Sequence, residues 1–136
     1  MTANVPVIRF LDEERCRALL ATASVGRVAA VVNGVPHVVP VNFVLVDGDV
    51  VFRSGSGTKL HAALQEQPVS FEVDRIDEAT QTGWSVLVSG TASVVSEPDV
   101  LGRAELGSLE MWAPGTRDEV VRVRSDLVSG REISRP

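Results

Sequence analysis

The residues best suited to chemistry lie together in Arg53-Ser54-Gly55-Ser56-Gly57-Thr58-Lys59. Arg53 and Lys59 carry full positive charge, and Ser54 and Thr58 offer hydroxyl donors. The small residues between them let backbone N–H groups approach an anion. Leu60, Ala63 and Leu64 mark the inner side of a short helix directly after the run, and its N-terminus would add a dipole of the right sign. The run therefore reads as a phosphate seat. The plain alternative is a glycine-rich turn between a strand and a helix, with its cations in water. It is not a Walker A loop, because the glycine spacing is too short and Thr58 precedes Lys59. It is not a dinucleotide fingerprint either, because no βαβ unit surrounds it.

Much other chemistry is excluded by composition. The chain has no tyrosine, one cysteine (Cys16) and two histidines (His37 and His61). No zinc ligand set can be assembled, so no metal site is expected. Neither histidine has a recognisable nucleophile beside it, and no catalytic residue can be assigned. A formal charge of −5 with no Lys/Arg run argues against a general nucleic-acid binder. A lone cysteine permits no internal disulfide and suits a reducing compartment. No segment has the profile of a signal peptide or of a membrane span. The reading is a cytoplasmic protein with no membrane partner. Its 136 residues fit one domain, residues 1–136, with 44% hydrophobic and 23% charged residues.

The elements that must position the phosphate seat follow from periodicity. Asp12 to Ala23 is a helix: Asp12 caps it, Glu13 and Glu14 suit its positive end, and Cys16, Leu19, Leu20 and Ala23 share one face. That spacing makes Cys16 a buried packing residue. Ser24 to Arg27 opens a sheet, Val28 to Val32 is a strand, and Asn33-Gly34 turns a hairpin. Val38 to Val46 is apolar apart from Asn42 and is broken by Pro40. It is therefore placed in the middle of a β core, with His37 at a solvated or edge position near its start. Asp47-Gly48-Asp49 turns the chain into a strand from Val50 to Arg53. After a helix reaching Glu66, Val69 to Val73 alternates as a half-buried strand. Asp74 to Thr82 reads as an acidic loop.

Gly83 to Val95 is a long strand whose Gly90 suggests a bend or bulge. Glu97-Pro98-Asp99 starts a helix that ends near Gly107. Trp112 follows in a Pro- and Gly-flanked loop, placed to cover a ligand, fill an interface or anchor the loop. Val120 to Val123 is a strand with Arg122 and Arg124 on one face, and Ser129-Gly130 turns the chain again. Six or so antiparallel strands with two or three helices and a glycine kink fit a small closed or partly closed barrel.

With these residues in place, the sequence resembles the pyridoxamine 5′-phosphate oxidase-like family of FMN-binding split β-barrels. The matching runs are Val25-Gly26-Arg27-Val28-Ala29, Pro40-Val41-Asn42-Phe43, Val51-Phe52-Arg53, Gly57-Thr58-Lys59-Leu60, Val69 to Asp74, Gly83 to Gly90 and Trp112-Ala113-Pro114-Gly115. The resemblance implies a mainly β, α+β fold: a six-stranded antiparallel split β-barrel with flanking helices. It also implies a homodimer with a flavin in each of two clefts between subunits. Arg53, Ser54, Thr58 and Lys59 then resemble the phosphate-binding set. Val41, Asn42 and Phe43 resemble the strand that edges the isoalloxazine ring. Ser85, with Trp84, resembles a partner-subunit position near its pyrimidine side. Trp112 and Arg122 keep the spacing of a Trp/Arg pair supplied from the other subunit, with Arg117 as a rival for the arginine.

The chain departs from the vitamin oxidases themselves, which use a tyrosine among the groups holding the substrate's phosphate. The function that follows is an FMN-dependent oxidoreductase acting on an unidentified small molecule. One alternative is a deazaflavin-dependent reductase, whose coenzyme has a longer acidic tail that Arg27, Arg53, Lys59 and Arg117 could meet. The other is a flavin-binding protein without turnover.

Overall fold

The computed structural model describes residues 5–55, 62, 64–95, 104–107, 109–112 and 119–136. The described elements are, in chain order, β1 (Val7–Leu11), α1 (Glu13–Leu20), β2 (Val25–Val32), β3 (Val35–Asn42), β4 (Val44–Val46), β5 (Asp49–Ser54), β6 (Gln67–Asp77), β7 (Thr82–Val95), α2 (Ala104–Gly107), β8 (Glu119–Val123) and β9 (Leu127–Ser134).

Local chemistry accounts for most of these boundaries. Asp12 caps α1 by accepting the Arg15 backbone N–H at 2.7 Å, and Cys16, Leu19 and Leu20 are its buried face. Both two-residue hairpins have the positive φ angles that such turns need, 51° and 77° at Asn33-Gly34 and 51° and 82° at Asp47-Gly48. In β2, Val28, Ala30 and Val32 point inward and alternate with exposed or half-buried residues. The main core joins α1 to the inner face of the sheet through Leu20, Val28, Phe52, Phe71, Val86, Val88 and Val121. Each fully buried side chain of that size contributes about 1.5–3 kcal/mol.

The expected six-stranded split barrel is not what forms. All nine described strands belong to one antiparallel sheet, whose pairing runs β3-β2-β6-β7-β8-β5-β4, with β9 pairing β7 and β1 pairing β9. That path has two free ends, β3 and β4, so the sheet is open. Its ends are two parts of one chain run, interrupted at Phe43: β3 pairs with β2 and β4 pairs with β5. Among the described residues no ladder joins β3 to β4. The mainly β, α+β class and the flanking helix stand.

Other expectations change with the pairing. Val38 to Val46 is not a central strand. β3 lies at the sheet's edge with Val35 and Val38 more than half exposed, a position suited to Pro36 and Pro40, which have no N–H to give to a second neighbour. His37 is exposed on this edge, as expected. Residues 74–82 are not a loop, because β6 runs to Asp77 and β7 starts at Thr82, leaving a short turn at 78–81. Ser129-Gly130 is not a turn. It lies within β9, where Gly130 lets Cys16 Sγ and the Ser85 carbonyl pack against the backbone. The helix expected to begin at Glu97 is described only over Ala104–Gly107, and the one expected after Lys59 lies almost wholly outside the described residues.

Gly90 makes no bulge, since the β6–β7 register is unbroken from Gln67↔Ala92 to Asp77↔Thr82. It marks a change of neighbour instead. Residues 83–89 of β7 pair with β9 and residues 92–95 pair with β8, and the β8–β9 connection crosses at Gly90. There Arg124 donates its N–H to the Thr91 carbonyl at 3.2 Å, and a Cβ on Gly90 would collide with the Arg124 carbonyl oxygen. Gly90→Ala is therefore expected to cost about 1–3 kcal/mol of stability. Gly107→Ala, which meets nothing within 4 Å, should stay within about 0.5 kcal/mol of the parent. Urea unfolding of the two variants checks this, and an unchanged midpoint for Gly90→Ala would refute the close approach.

Candidate functional site

The site is built around the interruption at Phe43. Its ring is 3% exposed and meets the Phe71 ring edge-on, with centroids 4.8 Å apart at 68°. Its N–H donates to the Ser24 carbonyl at 3.1 Å. Pairing with β2 ends at Asn42↔Val25, and pairing with β5 begins at Val44↔Val51. Carrying the β4–β5 register two steps further would set Asn42 level with Arg53. The end of β3, with Val41 and Asn42, thus flanks a divergence whose other side is the end of β5, with Arg53 and Ser54.

Three donor side chains border this divergence. Arg53 is half-buried and has no ion pair among the described residues. Ser54 is 7% exposed. Asn42 Oδ1 accepts the Trp112 backbone N–H at 3.1 Å, while Asn42 Nδ2 is buried with no hydrogen-bond partner among the described residues. An unsatisfied buried donor costs about 1–3 kcal/mol, so a ligand acceptor placed there would gain that much. Trp112 is exposed, and its indole N–H donates to Glu110 Oε2 at 3.0 Å. Glu110 and Glu105 border a cleft of about 470 Å³ whose lining includes Phe43 and Leu20. A guanidinium, a hydroxyl and a carboxamide N–H together suit an anion and the acceptor edge of a ring. Thr58, Lys59 and Arg117 lie outside the described residues.

Trp84 and Ser85 lie elsewhere, on β7, with β2 and β6 between them and β3. They line a second cleft of about 740 Å³ together with Glu72, Asp74 and Arg131. The Arg75 guanidinium lies 6.0 Å from the Trp84 ring centroid. Arg27 Nη1 sits 3.3 Å from Asp74 Oδ2 and 3.5 Å from Glu72 Oε1. The second distance is an ion pair without hydrogen-bond geometry, and Glu72 Oε1 is buried with no hydrogen-bond partner among the described residues. Burial pushes the Glu72 carboxyl up to about 7, helped by a hydrogen bond shared with Asp74 and by the Asp74 charge, with Arg27 opposing. A carboxyl that titrates near neutrality in a cleft can give or take a proton at physiological pH.

Arg122 is already engaged. Its Nη2 lies 2.6 Å from Asp49 Oδ2, and the other Asp49 oxygen accepts the Ser125 N–H at 2.9 Å. One chain thus brings Val41, Asn42, Phe43 and Trp112 together, with Arg53 and Ser54 across the divergence, and leaves Trp84, Ser85 and Arg122 apart. Sequence reasoning missed the Asn42–Trp112 link and the Arg27–Glu72–Asp74 cluster. The cluster had a signal, since Glu72 and Asp74 alternate with inward-facing residues. The Asn42–Trp112 link, 70 residues apart, had none.

Comparison with known proteins agrees with this architecture. The family model described as pyridoxamine 5′-phosphate oxidase matches residues 12–132. The uncharacterized protein Rv0080 of Mycobacterium tuberculosis is 34% identical over 128 residues, covering 90% of this chain and 84% of its own. The structure of the FAD binding protein from Mycobacterium smegmatis superposes with a TM-score of 0.79 at 34% identity, covering 91% of this chain and 98% of that one. A FAD-binding protein from Mesorhizobium loti gives 0.73 at 27% identity, covering 96% and 99%. The chain belongs to the pyridoxamine 5′-phosphate oxidase-like family.

The Glu72 shift has a consequence for stability. A carboxyl whose folded pKa is raised from 4.5 to about 7 stabilises the fold below its unfolded pKa, and the contribution disappears as pH rises through about 7. The side chain is 35% exposed, so solvent screening reduces the effect to about 1 kcal/mol. Urea midpoints should therefore fall between pH 5 and pH 8 in the parent and fall less in Glu72→Gln. Parallel pH profiles would rule out a half-buried carboxyl that titrates near 7.

Proposed function

We propose that this protein is a flavin-binding oxidoreductase that works as a homodimer on a small-molecule substrate. The observation that carries the reading is the donor set at the divergence: an Arg53 with no ion pair among the described residues, the buried Ser54 hydroxyl and the unpartnered Asn42 Nδ2. In this reading Arg53 and Ser54, with Thr58 and Lys59 as the sequence expects, hold the flavin phosphate. Val41 to Phe43 edge the ring. When bound, a flavin supplies the redox chemistry, and the protein holds it, orients it and excludes water. FMN is what the family resemblance implies, and the two solved relatives are named as FAD binders. A deazaflavin tail asks for more cations along the cleft. Arg27 is already paired with Asp74 and Glu72, which favours the flavin.

The homodimer reading draws support from the outer face of the sheet. Registered rows such as Val38, Ala29, Ser70, Ser89 and Leu127 cross five strands, and Val31, Val38, Leu87 and Leu127 are exposed on it. A partner on that face would bring its Ser85, on the same face as Leu87 and Ser89, to the cleft from outside. The cytoplasmic reading rests on Cys16, which is free and buried. No helix among the described residues is long and apolar enough to cross a membrane.

Titration with FMN and FAD tests the site. Arg53→Ala should weaken binding of the tighter flavin by roughly 10- to 100-fold, the range for a hydrogen bond to a charged group, and the flavin-saturated protein should sediment at twice the chain mass. Unchanged affinity in Arg53→Ala would remove the phosphate assignment, and a monomer mass would remove the dimer.

A further inference from the structure

We propose that Asn42 is a positioning residue that ties the binding of a planar heteroaromatic ring to the placement of the Trp112 indole. The identity of the ring rests on the flavin reading above, and the coupling rests on geometry. Asn42 ends β3 and is fixed there by its pairing with Val25 and by the buried Phe43 beside it. Its Oδ1 accepts the Trp112 backbone N–H at 3.1 Å. That bond holds segment 109–112 by its backbone, so it does not depend on the indole. The same bond fixes the orientation of the carboxamide, because turning the amide over would set two donors face to face. Nδ2 is left buried with no partner among the described residues. One side chain therefore holds the tryptophan segment with its acceptor and offers a preset, unsatisfied donor with the other end.

Trp112 is held by polar contacts more than by packing. It is 68% exposed, with its backbone N–H on Asn42 and its indole N–H on Glu110 Oε2 at 3.0 Å. An indole tied by its own N–H, on a segment held by its backbone and with its surface largely uncovered, is preorganised to stack on a flat ligand. A ring that offers an acceptor to Asn42 Nδ2 then meets the indole that Asn42 positions. This role belongs to the chain's own Trp112, whereas the resemblance assigns that tryptophan to the partner subunit. The chemistry fits either the isoalloxazine of FMN and FAD or the adenine of FAD.

The chain has two tryptophans, so Trp84→Phe leaves Trp112 as the only emitter. In that background, whose own flavin affinity is the reference for the Asn42 variants, FMN or FAD should quench Trp112 emission. Asn42→Ala should lower the fluorescence anisotropy of Trp112 without ligand and weaken flavin binding roughly five- to tenfold, as for one neutral hydrogen bond. A loss for both flavins assigns the isoalloxazine, and a loss for FAD alone assigns the adenine. Asn42→Asp keeps the acceptor and loses the donor, so it should restore the anisotropy but not the affinity, which a merely structural role would not do. Thermal melting confirms that the variants are folded. Flavin binding without quenching of Trp112, or an Asn42→Ala variant with unchanged anisotropy and affinity, overturns the coupling. If the parent binds neither flavin, the flavin reading and the donor role both fall. The anisotropy of the Ala and Asp variants then still decides whether Asn42 holds the Trp112 segment.

Discussion

Phe43 is where one run of chain must serve two neighbours, and the rest of the arrangement depends on how it does so. Its ring is locked edge-on against Phe71 in the core, and its N–H is given to Ser24. The chain cannot slip there without emptying that pocket. Pairing with β2 therefore stops at Asn42, and pairing with β5 starts at Val44. Backbone that would otherwise continue one ladder diverges instead, and the polar residues next to the break are left facing a gap. The aromatic contact that anchors the core is thus also what sets the candidate site.

Charge pairing fits the same picture. Arg122 is tied to Asp49 at the β4–β5 turn, and Arg27 is shared between Asp74 and Glu72. Both pairs lie at the junction of different strands, and they help hold the register that carries the site. Partial burial makes such pairs worth more than exposed ones, though each also has to offset desolvation. Glu72 shows that cost directly: it holds its proton to higher pH than a solvated carboxyl would.

Local chemistry was legible in the sequence, and pairing was not. Asp12 announced its cap, Asn33-Gly34 and Asp47-Gly48 announced their turns, and the spacing of Cys16, Leu19 and Leu20 announced the buried face of α1. Apolarity misled at β3, because an edge strand with exposed valines reads like a central one. Gly90 and Gly130 were read as a kink and a turn, since sequence cannot say that the Arg124 carbonyl or Cys16 Sγ needs the missing Cβ. The order of strands is likewise set by contacts far apart in the chain. So is the Asn42–Trp112 bond, which joins two residues that the family resemblance placed at the site but on different subunits.

The central claim is that the donors around Asn42 and Arg53 serve a flavin. The most direct measurement is the absorption spectrum of the purified protein, with mass analysis of whatever denaturation releases. The account expects a flavin spectrum and a released mass of FMN or FAD, or uptake of one of them by a colourless preparation. A protein that takes up neither, or that carries a deazaflavin instead, would contradict it.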